Sequence, residues 1–158
     1  MSKIYLGLGT NLGDKEQNLR IAVQKIEEQI GKMISLSAFY VTAPWGFASN
    51  HSFLNAALCV DTELSPLEVL QKTQGIECDL GRIHKSVNGI YSDRVIDIDL
   101  LLYDDLVLSV KSPSGAELNL PHPLMAKRDF VMRPLAEIAP DLIHPVLGKT
   151  MKKILSEL

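Results

Sequence analysis

The chain has 158 residues, of which 46% are hydrophobic and 22% are charged, an ordinary composition for a globular protein with one domain, residues 1–158. Its 16 basic and 19 acidic residues give a net charge of −3. That balance argues against a nucleic-acid-binding protein and against a module for acidic membrane surfaces, because both need a positive surface.

The first half of the chain predicts strands alternating with helices. Period-2 patterns predict three strands, at residues 3–9, 33–42 and 53–62. One helix is predicted to begin at Asp14, a favourable N-cap. A second is predicted over residues 65–81, because Ser65 can cap it and Pro66 suits its first position.

The second half predicts one long strand and several shorter elements. A polar loop at residues 82–93 leads into a strand over 94–103, and short elements follow: a strand at 106–109 and helices near 124–128, 131–138 and 149–157. The order matches an α+β, ferredoxin-like βαββαβ core with C-terminal short strands and helices. We therefore expect a mainly antiparallel sheet with both long helices on one face.

No apolar stretch is long enough for a membrane span or for a signal peptide. We therefore expect a cytoplasmic protein without membrane contact. Cys59 and Cys78 have neither metal-binding nor redox spacing, so we expect both to be reduced residues of the core.

The predicted long strand carries two carboxylates on one face. Asp97 and Asp99 alternate with Ile96, Ile98, Leu100 and Leu102, which we expect to form one apolar face. Strands are depleted in Asp, and neighbouring like charges repel. A divalent cation would resolve that repulsion, because Mg²⁺ typically takes one or two carboxylates together with water and phosphate oxygens. The alternative is a solvated face of an edge strand.

Positive charge surrounds this carboxylate pair in the sequence. Arg82, His84 and Lys85 begin the preceding loop and Arg94 ends it. Singly, each would be interpreted as a surface ion pair. Together with two carboxylates they predict a polyphosphate site under a loop that closes over it.

Two further patterns have plainer interpretations. The stretch GLGTNLGD has G-x-G-x-x-x-G spacing, which does not match the dinucleotide-binding fingerprint, so a Rossmann fold is rejected. Gln74 and Glu77 share one face of the second helix, and spacing alone indicates a polar helix face.

The ordered stretches together resemble one enzyme family. They are LGLGTNLGD, SAFYVTAPWG, FLNAAL, QGIECDLGR, RVIDIDLLLY and LPHPLMAKRDFVMRPLAEIAP. They are similar to the 6-hydroxymethyl-7,8-dihydropterin pyrophosphokinases of folate biosynthesis. The resemblance implies Mg²⁺-dependent transfer of the β,γ-diphosphate of ATP, the co-substrate, to the hydroxymethyl group of the pterin, releasing AMP. It also implies a monomer whose partners are these small molecules.

The resemblance implies roles for individual residues. The carboxylates of Asp97 and Asp99 would hold two Mg²⁺ ions, and Arg82 and Arg94 would join them in catalysis. The implied pterin-binding residues are Thr42, Ala43, Trp45, Phe53, Asn55 and Phe130. The implied ATP-binding residues are Gln74, Glu77, Arg82, His84, Arg94, Leu100, Asn119, His122 and Arg128.

The chain departs from the family pattern in the basic loop. His84 stands where a second arginine is usual, and a common loop tryptophan is absent. We expect His84 to replace a permanent cation only in part near neutral pH. Two other functions remain open: a non-catalytic nucleotide- or metal-binding domain of the same fold, and transfer of the γ-phosphoryl group, which would release ADP.

Overall fold

The computed structural model describes residues 1–42, 52–81 and 95–158. They form, in order, β1 (Ser2–Thr10), α1 (Lys15–Gln29), β2 (Gly31–Leu36), β3 (Tyr40–Thr42), β4 (Phe53–Thr62), α2 (Pro66–Asp79), β5 (Asp97–Tyr103), β6 (Leu108–Lys111), β7 (Glu117–Leu120), α3 (Asp129–Ile138) and α4 (Met151–Ser156). A short 3-10 helix, Met125–Lys127, precedes α3. None of the helices in these ranges is long and apolar enough to cross a membrane.

One antiparallel sheet organises the structure. Its strands lie in the order β2-β4-β1-β5, and β3 pairs with β4 beside β2. Strands β6 and β7 form a separate hairpin. The predicted ferredoxin-like α+β fold is confirmed.

The two long helices begin where the sequence predicts. The Asp14 side chain accepts a hydrogen bond from the Gln17 N–H at 3.2 Å. At α2 the capping is reciprocal, because Ser65 accepts from the Glu68 N–H and the Glu68 carboxylate accepts from the Ser65 N–H. Each cap satisfies backbone donors that have no partner within the first turn.

Each face of the sheet has its own hydrophobic core. The first core cluster packs α1 and α2 on the sheet, and includes Ile4, Leu6, Leu19, Ile26, Leu58, Ile76, Ile96, Ile98 and Leu100. The second core cluster packs α3 and α4 on the opposite face, and includes Tyr5, Cys59, Leu101, Leu102, Met132, Leu135 and Ile154. Both long helices therefore lie on one face, as predicted, and the C-terminal helices cover part of the other.

A β-bulge overturns one sequence expectation. Leu6 pairs with Leu100 but Tyr5 pairs with Leu102, so Leu101 is an extra residue in β5. An extra residue inverts the side-chain alternation beyond it. Leu102 consequently lies in the second core cluster rather than on the apolar face of Ile98 and Leu100.

Two other expectations also need correction. The strand predicted over residues 33–42 is interrupted between β2 and β3. There the Ser37 N–H still donates to the Ala57 carbonyl, but the Ala57 N–H donates to the Ser37 hydroxyl. Cys59 is buried as expected, and burial raises the pKa of its thiol. Cys78 is exposed on α2, so its placement in the core was wrong.

Candidate active site

Asp97 and Asp99 lie on the sheet face opposite the two long helices. Both are half-buried, and Asp97 pairs with Gly9 of β1 while Asp99 pairs with Gly7. Gly9 has no side chain, so the sheet surface beside Asp97 is low. At Gly7 the Leu101 side chain covers the sheet, because a Cβ there would stand 3.4 Å from Leu101 Cδ1. The low surface at Gly9 leaves room for a ligand to lie against the strands.

A row of paired residues connects these carboxylates to the predicted pterin-binding residues. Asn55 of β4 pairs with Gly9, which pairs with Asp97. Neighbouring strands lie about 4.8 Å apart, so Asn55 and Asp97 are separated by about 10 Å, twice that spacing. A Cβ on Gly9 would stand 3.0 Å from Asn55 Oδ1 and 3.7 Å from the Phe53 ring. Because Gly9 has no side chain, nothing projects from the sheet at the position between Asn55 and Asp97.

The orientation of the Asn55 amide is fixed by its neighbours. Asn55 is 5% exposed, and its Nδ2 donates a 2.5 Å hydrogen bond to Thr42 Oγ1. A buried amide that has committed one donor presents its remaining groups in a set direction. Thr42 and Asn55 therefore form one unit rather than two independent contacts.

A cavity of about 360 Å³ lies at the carboxylates. Its lining comes from α2, β5 and the segment after β7, and consists of Leu70, Thr73, Gln74, Glu77, Asp97, Ile98, Asp99, His122, Pro123, Leu124 and Arg128. Six predicted site residues are brought together here, namely Gln74, Glu77, Asp97, Asp99, His122 and Arg128.

His122 enters this cavity as a neutral imidazole near neutral pH. Burial lowers its pKa, the Arg128 guanidinium lowers it further, and Asp97 opposes them by raising it. His122 Nδ1 accepts the Leu124 N–H at 3.1 Å. The proton of the neutral ring is therefore on Nε2, which can donate to an anionic ligand.

Arg128 provides a buried cation. It is 6% exposed, and its guanidinium lies 5.6 Å from the centroid of the Phe130 ring, a distance at which the ring stabilises a cation. Phe130 itself packs partly on the second core cluster. The stacking links a predicted ATP-binding residue to a predicted pterin-binding one.

Two predicted ATP-binding residues, Leu100 and Asn119, do not line the cavity at the carboxylates. The Leu100 side chain is buried in the first core cluster, on the face of β5 away from the carboxylates. Asn119 accepts from the Ser109 hydroxyl at 2.8 Å and lines a second cavity of about 660 Å³. That cavity shares His122 and Pro123 with the first.

Five predicted site residues lie outside the described residues. They are Ala43, Trp45, Arg82, His84 and Arg94.

Sequence reasoning missed residues that shape the site without carrying charge. Gly7 and Gly9 alternate with Leu6 and Leu8 in β1, so their common face could have been recognised from the pattern. Asn18 gave no such signal. Its Nδ2 lies within 3.3 Å of Thr10 Oγ1, Leu12 O and Val95 O. Asn18 therefore connects α1 to the end of β1 and to the segment that leads into β5.

The donor set at Asp97 and Asp99 fits Mg²⁺. Among the described residues no three His, Cys, Asp or Glu side chains form a metal-binding group. Zinc sites typically take three or four protein ligands, whereas Mg²⁺ is commonly held by one or two carboxylates with water and substrate phosphates. Two carboxylates facing a cavity with a buried arginine fit that second pattern.

Comparison with known proteins identifies the family. Residues 5–140 match the model of the family described as 7,8-dihydro-6-hydroxymethylpterin-pyrophosphokinase (HPPK). The chain belongs to this family. Membership makes it an ATP-dependent pyrophosphokinase, a transferase of folate biosynthesis, and confirms the resemblance seen in its motifs.

Individual relatives cover nearly the whole chain. A 2-amino-4-hydroxy-6-hydroxymethyldihydropteridine pyrophosphokinase of Porphyromonas gingivalis is 49% identical over 92% of this chain and 95% of its own length. The Aquifex aeolicus protein of the same name is 40% identical over 99% and 92%. These two relatives therefore have nearly the extent of this chain.

Other relatives are longer proteins. A crystal structure of wild-type Plasmodium falciparum HPPK-DHPS superposes with a TM-score of 0.81 at 18% identity, covering 99% of this chain and 44% of that one. At that identity the likeness supports the fold alone. The Dictyostelium discoideum folic acid synthesis protein FOL1 is 40% identical, and this chain spans 22% of it.

Proposed function

We propose that this chain transfers the β,γ-diphosphate of ATP to the hydroxymethyl oxygen of 6-hydroxymethyl-7,8-dihydropterin, with two Mg²⁺ ions bound. The hydroxymethyl oxygen forms a bond to the β-phosphorus, and the bond from that phosphorus to the oxygen bridging to the α-phosphorus breaks. AMP leaves with the bridging oxygen, and the hydroxyl proton is released.

The row Asn55–Gly9–Asp97 carries this proposal. In this row Asn55 would hold a flat polar ligand, and the reactive arm of that ligand would point toward Asp97. The two residues are about 10 Å apart, which is twice the distance between neighbouring strands. Thr42 and Asn55 would hydrogen-bond the pterin edge, and Phe53 and Phe130 would stack on its ring. Ala43 and Trp45 complete the proposed pterin site.

The triphosphate is proposed to lie in the cavity beside Asp97 and Asp99. When bound there, Mg²⁺ would neutralise and orient phosphate oxygens. Buried Arg128 and the Nε2–H of His122 supply further donors, and the same role is proposed for Arg82, His84 and Arg94. Gln74, Leu100 and Asn119 complete the proposed ATP-binding set, and Glu77 lines the cavity beside them. The residues therefore act by positioning and by charge neutralisation.

Product analysis tests the proposal. Purified protein is incubated with Mg²⁺, ATP and the reduced hydroxymethylpterin, and nucleotides are resolved over time. AMP should appear in step with pterin diphosphate and should require both substrates. An Asp97→Ala, Asp99→Ala variant should lose activity, whereas Asp105→Asn, which alters an exposed carboxylate just after β5, should keep it. Release of ADP would show γ-phosphoryl transfer instead, and ATP binding without turnover would favour a regulatory domain.

We further propose that the protein acts as a monomer with a single domain over residues 1–158. The proposed reaction consumes ATP, which the cytoplasm supplies, so we keep the cytoplasm as the proposed location.

A further inference from the structure

Glu77 makes a buried contact with the strand that carries the two carboxylates. It lies on α2 and is 3% exposed, and its Oε2 accepts a 2.9 Å hydrogen bond from the backbone N–H of Ile98. Ile98 stands between Asp97 and Asp99. The contact therefore reaches the backbone from which both carboxylates project.

This backbone N–H needs a partner because of its place in the sheet. Among the described strands, β5 lies at the edge of the sheet and pairs with β1 alone. The outward N–H groups of an edge strand have no neighbouring strand to accept them. At Ile98 the side-chain carboxyl of Glu77 takes that place and satisfies a buried donor that would otherwise lack an acceptor.

Packing in the first core cluster also restrains Ile98. The Ile98 side chain is 5% exposed and belongs to the first core cluster, beside Ile76 of α2. With its side chain in the core and its N–H on Glu77, Ile98 has little freedom to rotate. The neighbouring Asp97 and Asp99 are then held toward the cavity.

We propose that Glu77 is a positioning residue, which fixes Asp97 and Asp99 for metal binding through the Ile98 N–H. This proposal rests on the proposed function for the identity of the metal. It differs from a nucleotide contact by Glu77, which the family resemblance implied, because the buried carboxylate here reaches protein backbone.

Four variants separate the two roles. Glu77→Gln retains an oxygen that can accept the Ile98 N–H. Glu77→Asp keeps the carboxyl but is one methylene too short, and Glu77→Leu keeps approximate size without an acceptor. Ile76→Val is the matched control, since it loosens the buried face of the same helix turn and leaves Glu77 intact.

The first measurement is hydrogen exchange at the Ile98 amide, by NMR and without metal or nucleotide. Exchange should be about 10- to 100-fold faster in Glu77→Leu and Glu77→Asp, as expected when a buried N–H loses its acceptor. It should stay near the wild-type rate in Glu77→Gln and Ile76→Val. Unchanged Ile98 exchange in Glu77→Asp would overturn the proposal, even if Glu77→Leu does not fold.

The second measurement is calorimetric binding of ATP at increasing Mg²⁺, without the pterin, so that no turnover occurs. Glu77→Leu and Glu77→Asp should need about 10- to 100-fold more Mg²⁺ for half-maximal ATP binding, the usual effect of losing a residue that orients a metal ligand. Glu77→Gln and Ile76→Val should need the wild-type amount.

Three results would contradict the proposal. A Glu77→Gln variant that loses ATP affinity while Ile98 stays protected would show direct contact with the nucleotide. An equal effect of Ile76→Val would show general loosening, and a wild-type Mg²⁺ requirement in Glu77→Asp would show that the contact does not serve the metal. Absence of AMP from wild-type protein would overturn only the proposed function, because both measurements are made without turnover.

Discussion

At the scale of single residues, the Asn55 amide depends on one hydroxyl. Its Nδ2 donates to Thr42 Oγ1, so Thr42→Val should leave a buried amide donor without that acceptor and free the amide to rotate. We expect the KM for the pterin to rise about 10-fold, the effect of one lost hydrogen bond, with ATP affinity unchanged. Steady-state kinetics with each substrate varied in turn measure this. Thr42→Ser keeps the hydroxyl and should behave as wild type; an equal defect there would contradict the explanation.

His122 and His144 should make the free energy of unfolding depend on pH. Burial lowers the pKa of His122 and His144 from the ordinary value of 6.5, and His144 Nδ1 accepts the Val146 and Leu147 N–H groups. The unfolded chain therefore binds protons at a higher pH than the folded chain. The stability from these neutral rings is present above about pH 6.5 and is lost as the pH falls through the lowered values.

Urea unfolding between pH 7 and pH 5 measures this effect, since most carboxylates titrate below that window. The free energy of unfolding should decrease as the pH falls. His144→Asn, which keeps an oxygen acceptor but cannot titrate, should show a smaller decrease. A decrease identical to that of wild type would exclude His144 as a source.

At the scale of elements, one carboxylate ties α3 to the start of β3. Glu137 accepts the Ala38 N–H at 3.0 Å and the Tyr40 hydroxyl at 2.5 Å, and this hydrogen bond raises the pKa of Tyr40. Strand β3 ends at Thr42, the partner of Asn55. Glu137 therefore anchors the strand that carries Thr42.

Removing this anchor should affect the pterin more than ATP. Glu137→Ala is expected to raise the KM for the pterin several-fold, because the Ala38 N–H and the Tyr40 hydroxyl lose a charged acceptor worth about 1.5 to 3 kcal/mol. ATP binding by calorimetry should be unchanged. Arg133→Ala, an exposed change one turn earlier on α3, is the control, because it removes the surface ion pair with Asp129 and leaves both hydrogen bonds of Glu137 in place. Equal loss of affinity for both substrates would contradict a local anchor.

The boundaries of elements show what periodicity can predict. Helix starts were predicted because caps are local chemistry, with Asp14 and Ser65 acting within three residues of themselves. The inversion at Leu101 was not predicted. A bulge is set by pairing with another strand, and residues 94–105 alone give an unbroken alternation. The interruption at Ser37 has the same origin, because its partner is Ala57 in β4.

At the scale of the whole molecule, the sheet is shared by both core clusters. Leu58 lies in the first and Met132 in the second, and both are fully buried. Because β1, β4 and β5 contribute to both clusters, melting one cluster removes the support of the other. We therefore expect one cooperative unfolding transition, as small single domains show.

Core truncations test this cooperativity. Leu58→Ala and Met132→Ala should each lower the free energy of unfolding by about 2 to 5 kcal/mol. Both should shift the same transition, with far-UV and near-UV circular dichroism changing together. Two separate transitions in the Met132→Ala variant would show that the C-terminal helices fold independently of the sheet.

The sequence by itself determined the local features of this protein. Capping residues and the Asp97–Asp99 pair each act through neighbours a few positions away, and ordered motifs sufficed to identify the family. The tertiary structure alone decided which of these groups meet. It placed Asn55 across Gly9 from Asp97, and it placed the Glu77 carboxyl within hydrogen-bond distance of the Ile98 N–H. It placed Asn119 in a second cavity that adjoins the first. Strand register and helix packing join residues far apart in the chain, and their contacts leave no periodic trace in the sequence.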